Sequence, residues 1–285
     1  MTELKLIECP RDAMQGLHDF IPTHLKISYI NLLLKCGFDT IDFGSFVSPK
    51  AIPQMRDTSE LLSALELNGD TKLLAIVANE RGAEEGCQFD EIAYLGYPFS
   101  VSEEFQRRNT NASIEESLGR VDSIRNLCEK QNKQLVVYLS MGFGNPYGED
   151  WSPELVEKWS HRLFIDFDIR IQALSDTIGA ANPEVVSKLF SHLIKTLPNV
   201  EFGAHLHTRP ENATFLVKAA YEAGCRRFDG ALKGFGGCPM AKDDLTGNMP
   251  TEKMIEWFGE QFIETGINMD AFREAYRFSG GVFAI

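Results

Sequence analysis

His205 and His207 stand two residues apart in V-E-F-G-A-H-L-H. Successive side chains of a strand point to opposite faces, so on an extended segment these two imidazoles project to the same side. Spaced by roughly 7 Å, from the ~3.3 Å rise per strand residue, both can lean onto a single metal ion. About thirty residues later, R-F-D-G-A-L-K-G-F-G-G-C-P-M-A presents one cysteine, Cys238, and a Gly-Asn pair follows at Asn248. Glycines on the N-terminal side of that cysteine favour loop freedom and close backbone approach over burial of a filler thiol. Near the N-terminus P-R-D-A-M-Q sets Arg11, a permanent forked cation, beside the carboxylate of Asp12. His18, His24, His161 and His192 lack such company and read as surface or satisfied core residues.

The elements that must carry these groups alternate. Apolar runs of strand length fall at Leu4–Glu8, Thr40–Phe43, Leu73–Val77, Glu91–Leu95, Leu135–Leu139, Ile169–Leu174, Glu201–His207 and Arg227–Leu232. Helical patterns lie between them at His24–Cys36, Thr58–Leu67, Ile114–Gln131, Pro153–Phe164, Pro183–Thr196 and Ala213–Glu222. Ser152-Pro153 and Asn182-Pro183 each place a capping side chain before a proline at the first helical position. Gly37, Gly86 and Gly224 follow last turns, where a left-handed residue ends a helix. Met254–Thr265 supplies an eighth helix, and a short trailing helix follows at about 268–280. Eight strand–helix alternations predict an α/β fold, a (β/α)8 TIM barrel forming a single domain over residues 1–285. A doubly wound open sheet shares that periodicity. In a barrel the catalytic groups come from the C-terminal ends of strands and the loops beyond them. Arg11, Asp12, Asp42, Asp176, Thr177, His205, His207, Cys238 and Asn248 all fall there. The polar interval from Gly96 to Ser113 reads as a functional loop and helix after strand four.

Composition narrows the class of function. Hydrophobic residues at 44% and charged residues at 24% describe a globular chain with a sizeable core. A net charge of −13 argues against a nucleic-acid or anionic-membrane surface, both of which need a basic patch. It also requires a local cationic cluster if the substrate is anionic, with Arg107, Arg108 and Lys50 as contributors. The six cysteines form no C-x-x-C pair, which favours a reduced compartment. The first residues lack the apolar segment of a signal peptide, and no apolar run reaches the ~18 residues of a membrane span. A cytoplasmic protein without membrane or nucleic-acid partners is expected.

From Ile7 through I-D-F-G-S-F-V-S-P-K, N-A-S-I-E-E-S and S-D-T-I-G to Pro250, the chain resembles the hydroxymethylglutaryl-CoA lyase family, metal-dependent TIM-barrel carbon–carbon lyases. The resemblance implies cleavage of (S)-3-hydroxy-3-methylglutaryl-CoA to acetyl-CoA and acetoacetate, as in leucine degradation and ketone-body-type metabolism. It implies one divalent metal per chain at the positions of Asp12, His205, His207 and Asn248. That oxygen and nitrogen set, without thiolate, suits octahedral Mg²⁺ or Mn²⁺. Arg11 would stabilise the enolate oxygen, Asp42 or His205 would take the hydroxyl proton, and Cys238 would help protonate the departing acetyl-CoA carbanion. Arg11, Gln15, Ser45, Tyr138, Asp176 and Thr177 match positions that bind the coenzyme A thioester substrate or support it. A homodimer is compatible with this reading.

The chain departs from the family pattern at four points. Ala13 follows Arg11-Asp12 where the family has glycine, Asp42 replaces glutamate, Thr208 replaces the acid after His207, and the Cys238-to-Asn248 stretch is one residue longer. These could retune the pocket toward a related 3-hydroxyacyl-CoA. Other readings are a Claisen-type acyl-CoA synthase resembling isopropylmalate synthase, a non-catalytic metal- or acyl-binding barrel, and a non-haem Fe(II) site with two histidines and one carboxylate. The Fe(II) reading leaves Arg11 and Cys238 without a role.

Overall fold

The computed structural model describes residues 3–237 and 246–283. Eight strands close into one parallel barrel in sequence order: β1 Lys5–Glu8, β2 Thr40–Ser45, β3 Lys72–Ile76, β4 Ile92–Ser100, β5 Gln134–Ser140, β6 Ile171–Asp176, β7 Glu201–Leu206 and β8 Arg227–Gly230. Closure is made by β1 against β8, with Lys5 opposite Arg227 and Glu8 opposite Gly230. The helices are α1 Pro10–Gln15, α2 Thr23–Leu34, α3 Thr58–Ser63, α4 Glu80–Gly86, α5 Glu103–Thr110, α6 Ile114–Lys130, α7 Pro153–Phe167, α8 Pro183–Thr196, α9 Ala213–Glu222, α10 Thr251–Glu260 and α11 Met269–Val282. The open-sheet alternative is thereby excluded.

Period-two alternation divides the core into two shells. On β5, Leu135, Val137 and Leu139 face the helices, while Val136 and Tyr138 join Leu74, Ile76, Tyr94, Ile171 and Ala173 inside the barrel. The outer shell is the larger and runs continuously under the helices. The two expected caps form: Ser152 accepts from the Leu155 N–H at 3.3 Å and Asn182 from the Val185 N–H at 3.0 Å. Gly37 and Gly224 end α2 and α9 with φ of +85° and +103°. Gly86 differs. It lies inside α4 and is small because Leu95 and Phe46 pack on it, 3.0 and 3.1 Å from where a Cβ would stand.

Two further differences touch the site. Strand four does not stop at Leu95 but continues to Ser100 through Pro98. Its ladder with β3 ends at Gly96, so the missing Pro98 N–H falls where no β3 neighbour remains, and β5 alone pairs with the extension. Residues 10–15, given no element in the sequence reading, form α1, with Pro10 in its first turn. The trailing helix α11 packs its Phe278 on Tyr29 of α2, ring centroids 6.4 Å apart.

Candidate active site

One turn of helix and two strand ends assemble the polar centre. Helix α1 leaves β1 directly and buries Arg11 and Asp12 at the C-terminal mouth of the barrel. Asp12 Oδ1 accepts from Arg11 Nη1 at 2.8 Å and from Gln15 Nε2 at 2.6 Å. Its other oxygen, Oδ2, is buried with no hydrogen-bond partner. That oxygen lies 4.0 Å from His205 Nε2 and 3.9 Å from His207 Nε2. His207 is 3% exposed and its Nε2 is likewise unpartnered. Three ligand atoms around one small space, with two of these residues left unsatisfied in a buried site, fit a bound cation.

The electrostatics agree with that fit. Burial alone would raise the Asp12 carboxyl, but Arg11 and then the two histidines outweigh it and hold its pKa at about 2. The site therefore keeps an anionic oxygen at any physiological pH. Burial, reinforced by neighbouring His205, lowers His207 to about 4, so its imidazole is neutral and able to ligate.

Asn248 arrives from the other side. After β8 the chain returns as a bridge antiparallel to His207, with Met249 N–H donating to Leu206 O at 3.0 Å. Asn248 Nδ2 donates to Phe235 O at 2.9 Å, and the side chain also lies against the Asp12 carboxyl, whose pKa it helps to lower. Gly236, at φ +99°, makes this approach feasible: a Cβ there would meet Asn248 Nδ2 at 2.6 Å and Asp12 O at 2.9 Å. Cys238 lies outside the described residues.

Arg11, Gln15, Ser45, Tyr138, Thr177, His205 and His207 line one cavity. Tyr138 meets the His205 ring edge-on at 5.3 Å. Thr177 Oγ1 accepts from the Met141 N–H at 2.9 Å, and Ser45 Oγ from the Val47 N–H at 3.1 Å. Asp42 and Asp176 stand back from this wall. Asp42 is fully buried and receives Arg11 through both Nε and Nη2. Burial raises its pKa to about 6 against the lowering influence of Arg11. Asp176, the last residue of β6, accepts from the N–H groups of Ala180 and Ala181 at 2.9 Å each and thereby shapes the following turn.

Sequence reading missed Asp229, whose Oδ2 lies 3.1 Å from His205 Nδ1 and so directs Nε2 toward Asp12. Its place two residues after Arg227 on the last strand was the available signal. Ser140, Ser175, Phe105 and Asn109 also line the cavity; the last two sit on α5, carried in by the extension of β4. Ala13 occurs within α1, in a helical turn that needs no glycine. Thr208 is buried and donates to Arg209 O at 3.2 Å.

A sequence profile of the HMGL-like family matches residues 4–278. A hydroxymethylglutaryl-CoA lyase of Bacillus subtilis is 34% identical over 264 residues, covering 92% of this chain and 86% of that protein. The cytoplasmic 3-hydroxy-3-methylglutaryl-CoA lyase of Rattus norvegicus is 31% identical, covering 95% of this chain and 79% of that one. The solved structure of an HMG-CoA lyase from Acinetobacter baumannii, in complex with coenzyme A and 3-methylmalate, superposes with a TM-score of 0.91 at 31% identity, covering 100% of this chain and 93% of that one.

Proposed function

The chain belongs to the HMGL-like family, and on that premise we propose that it is a carbon–carbon lyase cleaving 3-hydroxy-3-methylglutaryl-CoA to acetyl-CoA and acetoacetate. Asp12, His205, His207 and Asn248 would hold the divalent ion, Mg²⁺ or Mn²⁺ by the mixed oxygen and nitrogen set without thiolate. When bound, such an ion supplies Lewis-acid polarisation of the substrate oxygens. The single observation carrying the reading is the buried, unpartnered Asp12 Oδ2 about 4 Å from both histidine Nε2 atoms. The 285 residues act in this reading as one catalytic unit.

The chain's own groups divide the remaining work. Arg11, gripped by Asp42 beneath and Asp12 beside it, presents a rigid cation at the cavity wall where the enolate oxygen develops. Asp42 thus serves as the holder of Arg11, and His205, its Nδ1 held by Asp229 and its Nε2 turned to the ion, positions the tertiary hydroxyl at the wall. Gln15 and Thr177 orient the acyl end, Tyr138 packs over His205, and Cys238 delivers a proton to the departing acetyl-CoA carbanion.

The test is an assay of purified protein with 3-hydroxy-3-methylglutaryl-CoA and Mg²⁺ or Mn²⁺, products identified by mass. Acetyl-CoA and acetoacetate in equal amounts, abolished by chelation, are expected. A parallel panel of 3-hydroxyacyl thioesters addresses Ala13, Asp42 and Thr208; a better substrate there would move the assignment within the lyases. Condensation of acetyl-CoA with a 2-oxo acid, without cleavage, would overturn the lyase reading in favour of a synthase.

A further inference from the structure

Beneath the polar centre the barrel interior holds a second, buried cation. Arg227 begins β8 and is 1% exposed. Its stem lies across Gly203 of β7, whose missing side chain makes the room: a Cβ there would stand 3.1 Å from Arg227 Cδ. Arg227 Nη1 donates to Glu201 Oε1 at 3.3 Å, while Nε and Nη2 are buried without partners. Two residues along the same strand, and hence on the same inward face, stands Asp229. One oxygen of Asp229 meets His205 Nδ1, and the other, Oδ1, is buried without a partner. Two orphaned donors and one orphaned acceptor thus occupy one closed interior, about 7 Å apart along the strand. Each such group carries a cost unless it is satisfied.

We propose that Arg227 is a positioning residue of the metal centre, fixing Asp229 Oδ1 through one buried water, so that Asp229 in turn fixes the ring of His205. The inference rests on the metal reading of Asp12, His205 and His207. A guanidinium is suited to the task because its rigid fork can serve Glu201 and Asp229 with different N–H groups. Pure charge would act in the opposite sense: a cation in the barrel repels a bound divalent ion, and deleting it would tighten metal binding. The two effects of Arg227 therefore differ in sign.

Mn²⁺ affinity, read by electron paramagnetic resonance or calorimetry without substrate, separates them. Arg227→Met keeps the apolar stem, and Glu201 keeps its pairing with Lys5, so no charge is stranded there. This variant is expected to bind Mn²⁺ about three- to tenfold more weakly, and Asp229→Asn about tenfold more weakly. The double variant is expected within about twofold of Asp229→Asn alone, because Arg227 acts through Asp229. Arg227→Lys, which restores charge and one donor, recovers part of the loss; it replaces Met in the same cycle if the Met variant does not fold. Additive losses, unchanged affinity or tighter binding in the Arg227 variants would overturn the inference while leaving the metal site standing. A parent protein that binds no Mn²⁺ would overturn both.

Discussion

At the scale of single residues, Arg11 is the most exposed to test, because its two partners make distinct claims. In the proposed mechanism it would stabilise developing negative charge on the substrate, and in the fold it pairs with Asp42, a fully buried carboxylate. Arg11→Met is expected to lower turnover by about 10² to 10³, the loss typical of one oxyanion donor, with a smaller change in substrate affinity. It also strands Asp42, and breaking a buried pair costs about 3–5 kcal/mol. Without Arg11, burial raises the Asp42 pKa above its present value of about 6, so the variant's melting deficit relative to the parent should be larger at pH 8 than at pH 5. Activity within a few-fold of the parent would remove Arg11 from the chemistry. His207→Ala removes one of about four ligands and should weaken Mn²⁺ binding by tenfold or more, with the barrel intact by circular dichroism. Undiminished affinity would place the ion elsewhere. The histidine pair and Arg11-Asp12 were legible because strand alternation and chain proximity declare them. Asp229 was not, since its partner His205 lies 24 residues away across a strand pair. The Asp42 pairing with Arg11 was equally hidden, because a sequence shows two acids and a base near strand ends but not which of them face each other.

At the scale of elements, the glycine-rich turn after β8 spaces Asn248 from Asp12, two of the proposed ligands. A side chain at position 236 would press on Asn248 and on the backbone of Asp12 together, in a conformation that L residues rarely adopt. Gly236→Ala should therefore weaken Mn²⁺ binding several-fold and lower the melting temperature, since the added Cβ meets the Asp12 backbone at 2.9 Å and φ +99° strains an alanine. A variant with parental affinity would show that Asn248 does not depend on this approach. The eight strands were legible because each keeps an apolar run between turn signals. The far half of β4 was not: Pro98 reads as a strand breaker, and only the end of the β3 ladder at Gly96 reveals why it is tolerated. Helix α1 is short enough, at six residues, to leave no periodic pattern, and yet it carries Arg11, Asp12 and Gln15.

At the scale of the whole molecule, barrel closure runs through one acid. Glu8, fully buried on β1, accepts from the Leu232 N–H at 2.8 Å and the Thr251 hydroxyl at 2.6 Å. Burial raises its pKa to about 8 from an ordinary 4.5, against the lowering effect of both hydrogen bonds. The folded chain thus binds a proton that the unfolded chain releases earlier. The associated stability is complete below about pH 4.5 and is lost as pH climbs through about 8. Glu8→Gln should abolish that slope, so its melting temperature gains on the parent's between pH 5 and pH 9. Parallel curves would show that Glu8 does not titrate in the fold. The two groups that Glu8 grips are also the two feet of the excursion that bears Cys238 and returns with Asn248. With both feet anchored to one carboxylate, extra residues between them cost only the slow logarithm of loop closure. The stretch of chain between them is in effect a replaceable cassette. Its length and sequence can change, and with them what the proposed lyase accepts, while Glu8 still holds the strand that brings Asn248 to His207.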